Sequence, residues 1–230
     1  MRSLLLVVLG LTLLAGAALA APPVPDDILP GGDPVTFDVV GGGSPPAAWA
    51  VGLTGGYPWS SLRLQVGLPG GVTPVVSVET AVFRRWEPTA GVSGRFLDGP
   101  KGRLSGEILL GWTIEAGEVR RNGPRILGRL RAMAITGRAG PYVALATGHT
   151  LYFDDVVTRT RDGDTTERTV SHQWAPVIEA GVAVAILKNV GIEVGFDWHL
   201  VGLPDALALP GVHLGVQFGA GRRPAREDAR

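Results

Sequence analysis

Cysteine is absent from the 230 residues, which excludes a disulfide framework and any thiolate-ligated metal centre. Lysine is nearly absent: Lys101 and Lys188 are the only two, and every other basic residue is arginine. Charge of one sign is lacking as well, with 21 basic residues against 21 acidic ones. Without a basic excess, neither a nucleic acid nor an anionic membrane surface is an expected partner. Beyond residue 20, no apolar stretch approaches the ~18–20 residues that a membrane-crossing helix needs. A helical membrane protein is therefore excluded. Neither G-x-x-x-x-G-K-[ST] nor a helix-opening G-x-G-x-x-G occurs, which leaves nucleotide binding without support.

Glycine is what the chain has in excess, 34 residues against an average near 7%. Residues 1–20 have the pattern of a signal peptide: Arg2, an apolar run from Leu4 to Leu19, and the small-x-small triplet Ala18-Leu19-Ala20, which places cleavage before Ala21. Removal of Arg2 leaves 20 basic residues against 21 acidic ones, about one net negative charge. Residues 21–46 are rich in proline and glycine and read as a leader or linker. A short strand at Val35-Thr36-Phe37-Asp38-Val39 is conceivable there but is not counted. A polar tail is expected over 222–230, which leaves 47–221 as the folded domain.

Within 47–221 the dominant period is two. In 189–200, Val190, Ile192, Val194, Phe196, Trp198 and Leu200 alternate with Asn189, Gly191, Glu193, Gly195, Asp197 and His199. Successive strand side chains face opposite sides, so this segment has one apolar face and one small or polar face. The same split recurs at Leu62 to Leu68, Ile108 to Ile114, Trp174 to Ile186 and Val212 to Ala220. Weaker versions lie at 47–56, 74–86, 89–97, 125–137 and 140–153, giving ten candidate strands, with eight also possible. Long polar connections are expected after odd strands, notably 115–124, 153–169 and 202–210, and short turns after even ones; Glu87-Pro88-Thr89 is a short exception.

Alternation by itself fits a soluble barrel or sandwich with its apolar face inward. The second face argues otherwise. It is mostly Gly, Ala and Ser with sparse charges, where a water-facing sheet would carry Lys, Glu and Thr in bulk. Such a face suits a cramped lumen, and plain aliphatic residues suit lipid contact. Trp49, Trp59, Trp86, Trp112, Trp174 and Trp198 lie toward strand ends, as an interfacial belt requires. The fold expected is an all-β, antiparallel, up-and-down transmembrane β-barrel.

On the signal peptide and the final alternating strand, the chain resembles the small outer-membrane β-barrel proteins of Gram-negative bacteria, OmpA-type and porin-like single-chain barrels. The resemblance implies outer-membrane localisation, contact with outer-membrane lipid, and insertion by the barrel assembly machinery. It also implies that Val212, Leu214, Val216 and Phe218 carry the assembly signal, although residues 219–230 follow where such chains usually end.

Candidate lumen charges are Arg63, Glu107, Glu115, Arg129, Arg131, Glu179, Glu193 and Asp197, joined by His199 and His213. They either line a solute path or form a paired plug, and about ten strands leave little bore beyond side chains. His199 and His213 share the lumen parity and are placed to face each other, as polar fillers or as a pH-sensitive or metal-binding pair. No histidine spacing marks a metal site, and no cofactor is indicated. Ser171 and His172 are adjacent, so a strand points them apart. His149-Thr150-Leu151, His199-Leu200-Val201 and His213-Leu214-Gly215 lack the His-x-Ser pattern of the outer-membrane lipid-modifying hydrolases that resemble this architecture. The acidic residues of 154–167 miss the EF-hand spacing and read as a solvated extracellular loop. The functional expectation is a structural or narrow channel barrel without catalysis. A soluble periplasmic barrel or sandwich carrying an apolar ligand remains the alternative, with a lipid-modifying enzyme behind it.

Overall fold

The computed structural model describes residues 35–44, 48–68, 72–82, 84–99, 101–116, 121–160, 163–199 and 211–221. The candidate signal peptide and the polar tail lie outside them. Among the described residues, ten strands follow one short helix: α1 (Val35–Val40), β1 (Ala48–Tyr57), β2 (Trp59–Val66), β3 (Val72–Ala81), β4 (Arg85–Gly99), β5 (Gly102–Glu115), β6 (Arg121–Ala134), β7 (Ala139–Thr160), β8 (Gly163–Leu187), β9 (Val190–His199) and β10 (Gly211–Gly221). Each strand pairs antiparallel with the next, and β10 returns to β1 to close the barrel. Leu53 faces Val216 and Val51 faces Phe218 at the closing seam. Closure leaves no edge strand within the ring, and β7 and β8 continue past it as a two-stranded hairpin.

The pleat sends the two faces of the pattern in opposite directions. Leu110 and Leu145 are each 61% exposed, and Ile108, Val143 and Leu214 stand out beside them. Gln65, Thr73, Glu87 and Gln217 point inward and are almost fully buried. The barrel is apolar outside and polar inside. Near the end where β1 starts, here the lower end, Trp49, Phe96 and Phe218 are exposed; toward the upper end, Tyr57, Trp86, Trp112, Trp174 and Trp198 are.

Several expectations need correction. Trp59 does not join the outer girdle. It lines the lumen with the Arg85 guanidinium 5.6 Å from its ring centre, a cation–π contact that gives the inward indole a partner. Glu87-Pro88-Thr89 is not a turn but lies inside β4; the reversal comes earlier, between Ala81 and Arg85. Pro88 faces Val78 on one side, while the ladder to β5 skips from Trp86–Ile114 to Thr89–Gly111, where proline has no donor to give. The expected loop at 154–167 is largely strand: β7 and β8 pair continuously up to Thr160 and Gly163. The loop-length asymmetry is correspondingly uneven, because only Pro58 separates β1 from β2.

The leader or linker reading also fails for residues 35–44, and a strand there is ruled out. In a barrel without a free edge, an inserted segment must satisfy its own backbone, and a helix does so. Helix α1 lies in the lower lumen against β8, β9, β10 and β1. Phe37 and Val40 pack with Met133, Tyr142, Ala183 and Ala185. The Gly41 N–H donates to the Phe37 carbonyl at 2.8 Å, and Gly42, at φ 71°, then turns the chain out of the helix. A Cβ on Gly42 would come within 2.6 Å of Ser105 Oγ. The segment is tied onward by Ser44, whose N–H donates to Thr73 Oγ1 at 2.9 Å and whose Oγ accepts from Gln65 Nε2 at 2.8 Å.

Candidate functional site

The lumen above α1 is the candidate site. Inward-facing charges from eight strands meet there in two tiers. In the middle tier, Arg63 of β2 pairs across the bore with Glu107 of β5. Arg129 joins Glu107 (2.9 Å) to Glu179 (2.9 Å), and Arg131 adds a second arm to Glu179 at 3.0 Å. Glu79 stands 3.8 Å from Arg129, at the looser edge of this network. Forked guanidiniums suit the task, since one group can bridge two carboxylates with fixed geometry. Buried charges are tolerable only when paired in this way.

The middle tier also holds the helix. Arg131 donates to the carbonyl of Val40, the last residue of α1, and lies 5.1 Å from the Tyr142 ring centre. A cation at the C-terminal end meets unsatisfied carbonyls and the negative end of the helix dipole. From β4, Arg95 reaches the carbonyls of Gly42 and Gly43. Beside Arg131, the His213 ring lies between Asp197 (Nδ1 to Oδ2, 3.2 Å) and Glu193 (Nε2 to Oε1, 3.5 Å). Tyr142 donates its hydroxyl to Glu193, and Gln217 Nε2 donates to the same carboxylate at 2.9 Å.

The upper tier centres on Arg85 and Glu87, 2.5 Å apart on β4, with Arg125 of β6 as a second partner of Glu87. The Arg85 guanidinium sits 5.6 Å from the Trp59 ring and 5.9 Å from the Tyr152 ring. Tyr152 donates to Gln173 at 3.0 Å, tying β7 to β8. Between the tiers, Val75, Leu109 and Leu127 form an inward apolar patch. A cavity of about 140 Å³ remains, with Val39 and Val40 at its floor and Trp59 and Ser60 toward its top. That is room for about ten waters and no sizeable solute.

Of the candidate charges, Arg63, Glu107, Arg129, Arg131, Glu179, Glu193, Asp197 and His213 are thus brought into one network. Glu115 lies apart from it, at the top of β5 opposite Arg85. His199 does not face His213: its backbone pairs with Val177, while His213 lies opposite Gly195. The supposed histidine pair is therefore not formed, because β10 begins at Gly211 opposite Asp197 and ends short of His199. The sequence reading missed Arg85, Glu87, Arg125, Glu79 and Tyr142. Arg125 shares the parity of Arg129 and Arg131 and was legible; Arg85 and Glu87 share a parity too but were hidden by the misplaced turn. Ser171 points inward to Asp154 (3.0 Å), and His172 points outward.

No family model matches the chain, and no curated protein matches it. Among solved structures it is similar to the N-terminal β-barrel domain of Pseudomonas aeruginosa OprF, with TM-score 0.35 and 14% identity over 77% of this chain and 100% of that one. It is similar to Neisserial surface protein A, with TM-score 0.33 and 12% identity over 74% of this chain and 92% of that one. KdgM porin gives TM-score 0.33 and 11% identity over 74% of this chain and 98% of that one. Likeness at this level leaves function to the chain's own geometry.

Proposed function

We propose that the protein is an integral outer-membrane β-barrel with a structural role and a closed bore, and that it catalyses no reaction. One observation carries the reading: the outer wall of a fully closed barrel is a continuous belt of exposed aliphatic side chains, among them Leu62, Leu64, Val76, Ile108, Leu110, Leu130, Leu145 and Leu214. A water-soluble protein rarely exposes such a belt, whereas lipid requires both the belt and the closure. The soluble ligand-carrier reading would need these residues inside, and they are outside. Exposed aromatic residues toward both ends support the same orientation.

The closed bore follows from α1 below and the two ionic tiers above. Catalysis lacks support because His213 has carboxylates and a tyrosine around it, with no serine partner among the described residues. In this reading the partners are outer-membrane lipid and the barrel assembly machinery. The latter would read β10, whose Val212, Leu214 and Phe218 are exposed and whose Val216 shares their outward parity.

Fractionation of the protein expressed in a Gram-negative host tests the proposal. Extraction only by detergent and a gel mobility that shifts on boiling are expected; recovery in the soluble fraction after osmotic shock would overturn it. A charge at the middle of the belt, Leu110→Arg, should destabilise the folded barrel by about 2–4 kcal/mol in lipid vesicles. Planar bilayers holding the full-length protein should give a flat current trace.

A further inference from the structure

Along 143–153 of β7 and 170–186 of β8 the outward positions are apolar at Val143, Leu145, Val170, Trp174 and Ile178, and the two ionisable residues on that stretch of the outer face are His149 and His172. His149 lies opposite Trp174, and His172 lies opposite Leu151, so the two histidines are diagonal neighbours on the same outer face. Their ring centres are 5.5 Å apart with planes inclined by 43°. Both side chains are exposed, and neither ring nitrogen has a hydrogen-bond or ion-pair partner among the described residues. Burying such a pair in hydrocarbon would be costly. Instead it lies at the level of the upper aromatic girdle, where Trp174 donates to Thr147 Oγ1 at 2.5 Å and Trp112 rests 6.4 Å from Phe153.

Two imidazoles sharing one metal ion each place a nitrogen ~2.0–2.1 Å from it, which puts the ring centres roughly 5 Å apart at a tetrahedral angle. The observed spacing meets that requirement with a small side-chain adjustment. The backbones are already fixed by the β7–β8 ladder, so little ordering cost remains. Among the described residues there is no group of three or more potential ligands. The remaining coordination positions would fall to water, which the exposed rim allows.

We propose that His149 and His172 form a two-histidine site for a first-row divalent transition-metal ion, Cu²⁺, Ni²⁺ or Zn²⁺, on the outer wall of the barrel. Imidazole selects these ions over Mg²⁺ and Ca²⁺, which prefer oxygen ligands, and copper should bind tightest of the three. The site goes beyond the envelope role proposed above and does not depend on it, since the ladder that holds the histidines is the same in either setting.

The full-length protein in detergent micelles is titrated with CuCl₂, NiCl₂ and ZnCl₂, with MgCl₂ as a control. Tryptophan emission reports Cu²⁺ and Ni²⁺, because Trp174 lies across the ladder from His149; calorimetry reports Zn²⁺. His149→Ala, His172→Ala and the double variant are compared, with the boiling-dependent gel shift confirming that each has folded. Sub-millimolar Cu²⁺ binding is expected, weakened at least about tenfold by either single change, with no response to Mg²⁺. Wild-type protein that binds no Cu²⁺ below millimolar, or variants that titrate like wild type, would overturn the assignment.

Discussion

The inner wall of the barrel is built from two unlike arcs. Across β8, β9, β10 and β1 many inward residues are small: Ala183, Ala185, Gly191, Gly195, Gly215, Gly219, Ala48, Ala50 and Gly52. Across β4, β5 and β6 they are long and charged: Arg85, Glu87, Arg95, Arg103, Glu107, Arg125, Arg129 and Arg131. Strand number sets the bore, so bulk on one arc must be matched by its absence on the other. Helix α1 lies against the small arc, and arginines from the charged arc reach over to the carbonyl of Val40 at its end and of Gly42 just beyond it. Part of the glycine excess therefore serves a particular occupant. At Gly52 an added Cβ would lie 3.2 Å from Val39 Cγ1, and at Gly140 3.1 Å from the Phe37 ring.

The two arcs can be separated by experiment. The largest effect should come from removing what lies between them: deletion of residues 34–44 is expected to turn the flat planar-bilayer trace into discrete conductance steps. A trace that stays flat would mean the ionic tiers close the bore without the helix. Next in size is the charged arc's anchor. Glu179→Leu would leave Arg129 and Arg131 buried without their shared carboxylate, and urea unfolding in lipid vesicles should show a loss of about 3–5 kcal/mol. On the small arc, Ala183→Leu inserts bulk against Phe37 and Val40 and should cost about 1–3 kcal/mol in the same assay. It should also raise the frequency of transient openings, because it displaces α1 while sparing the ion pairs. The smallest change is expected for Ser77→Ala, which removes one hydroxyl contact of 2.7 Å with Thr89 and should cost about 1 kcal/mol. An equal penalty for Glu179→Leu and Ser77→Ala would show that the network is not what fastens the charged arc.

Much of this was legible along the chain because strand periodicity is a local property. In Val212 to Phe218 or Val190 to Trp198, each residue's face is set by its parity alone, so the apolar and polar faces could be read before any pairing was known. The parity of Arg63, Glu107, Arg129 and Glu179 likewise placed them on one face. The turn between β3 and β4 escaped because Pro88 imitates a chain reversal, while only strand pairing reveals that it sits where a ladder bond can be dispensed with. Trp59 escaped because an aromatic near a strand end reads as girdle, although it shares the parity of Arg63 and Gln65 on β2 and so faces the lumen, where it meets Arg85.

Which residues alternate and which face is oily were thus determined by the sequence alone, since a pleated backbone leaves a side chain no third direction, whereas the choice of ten strands over eight came only with the pairing. Which charges meet, where His213 finds its carboxylates, and that Val35–Val40 coils into a helix inside the bore were decided only by the tertiary structure. Those outcomes depend on register between strands far apart in the chain. They depend also on closure, which joins β1 to β10 and leaves an enclosed segment to satisfy its own backbone.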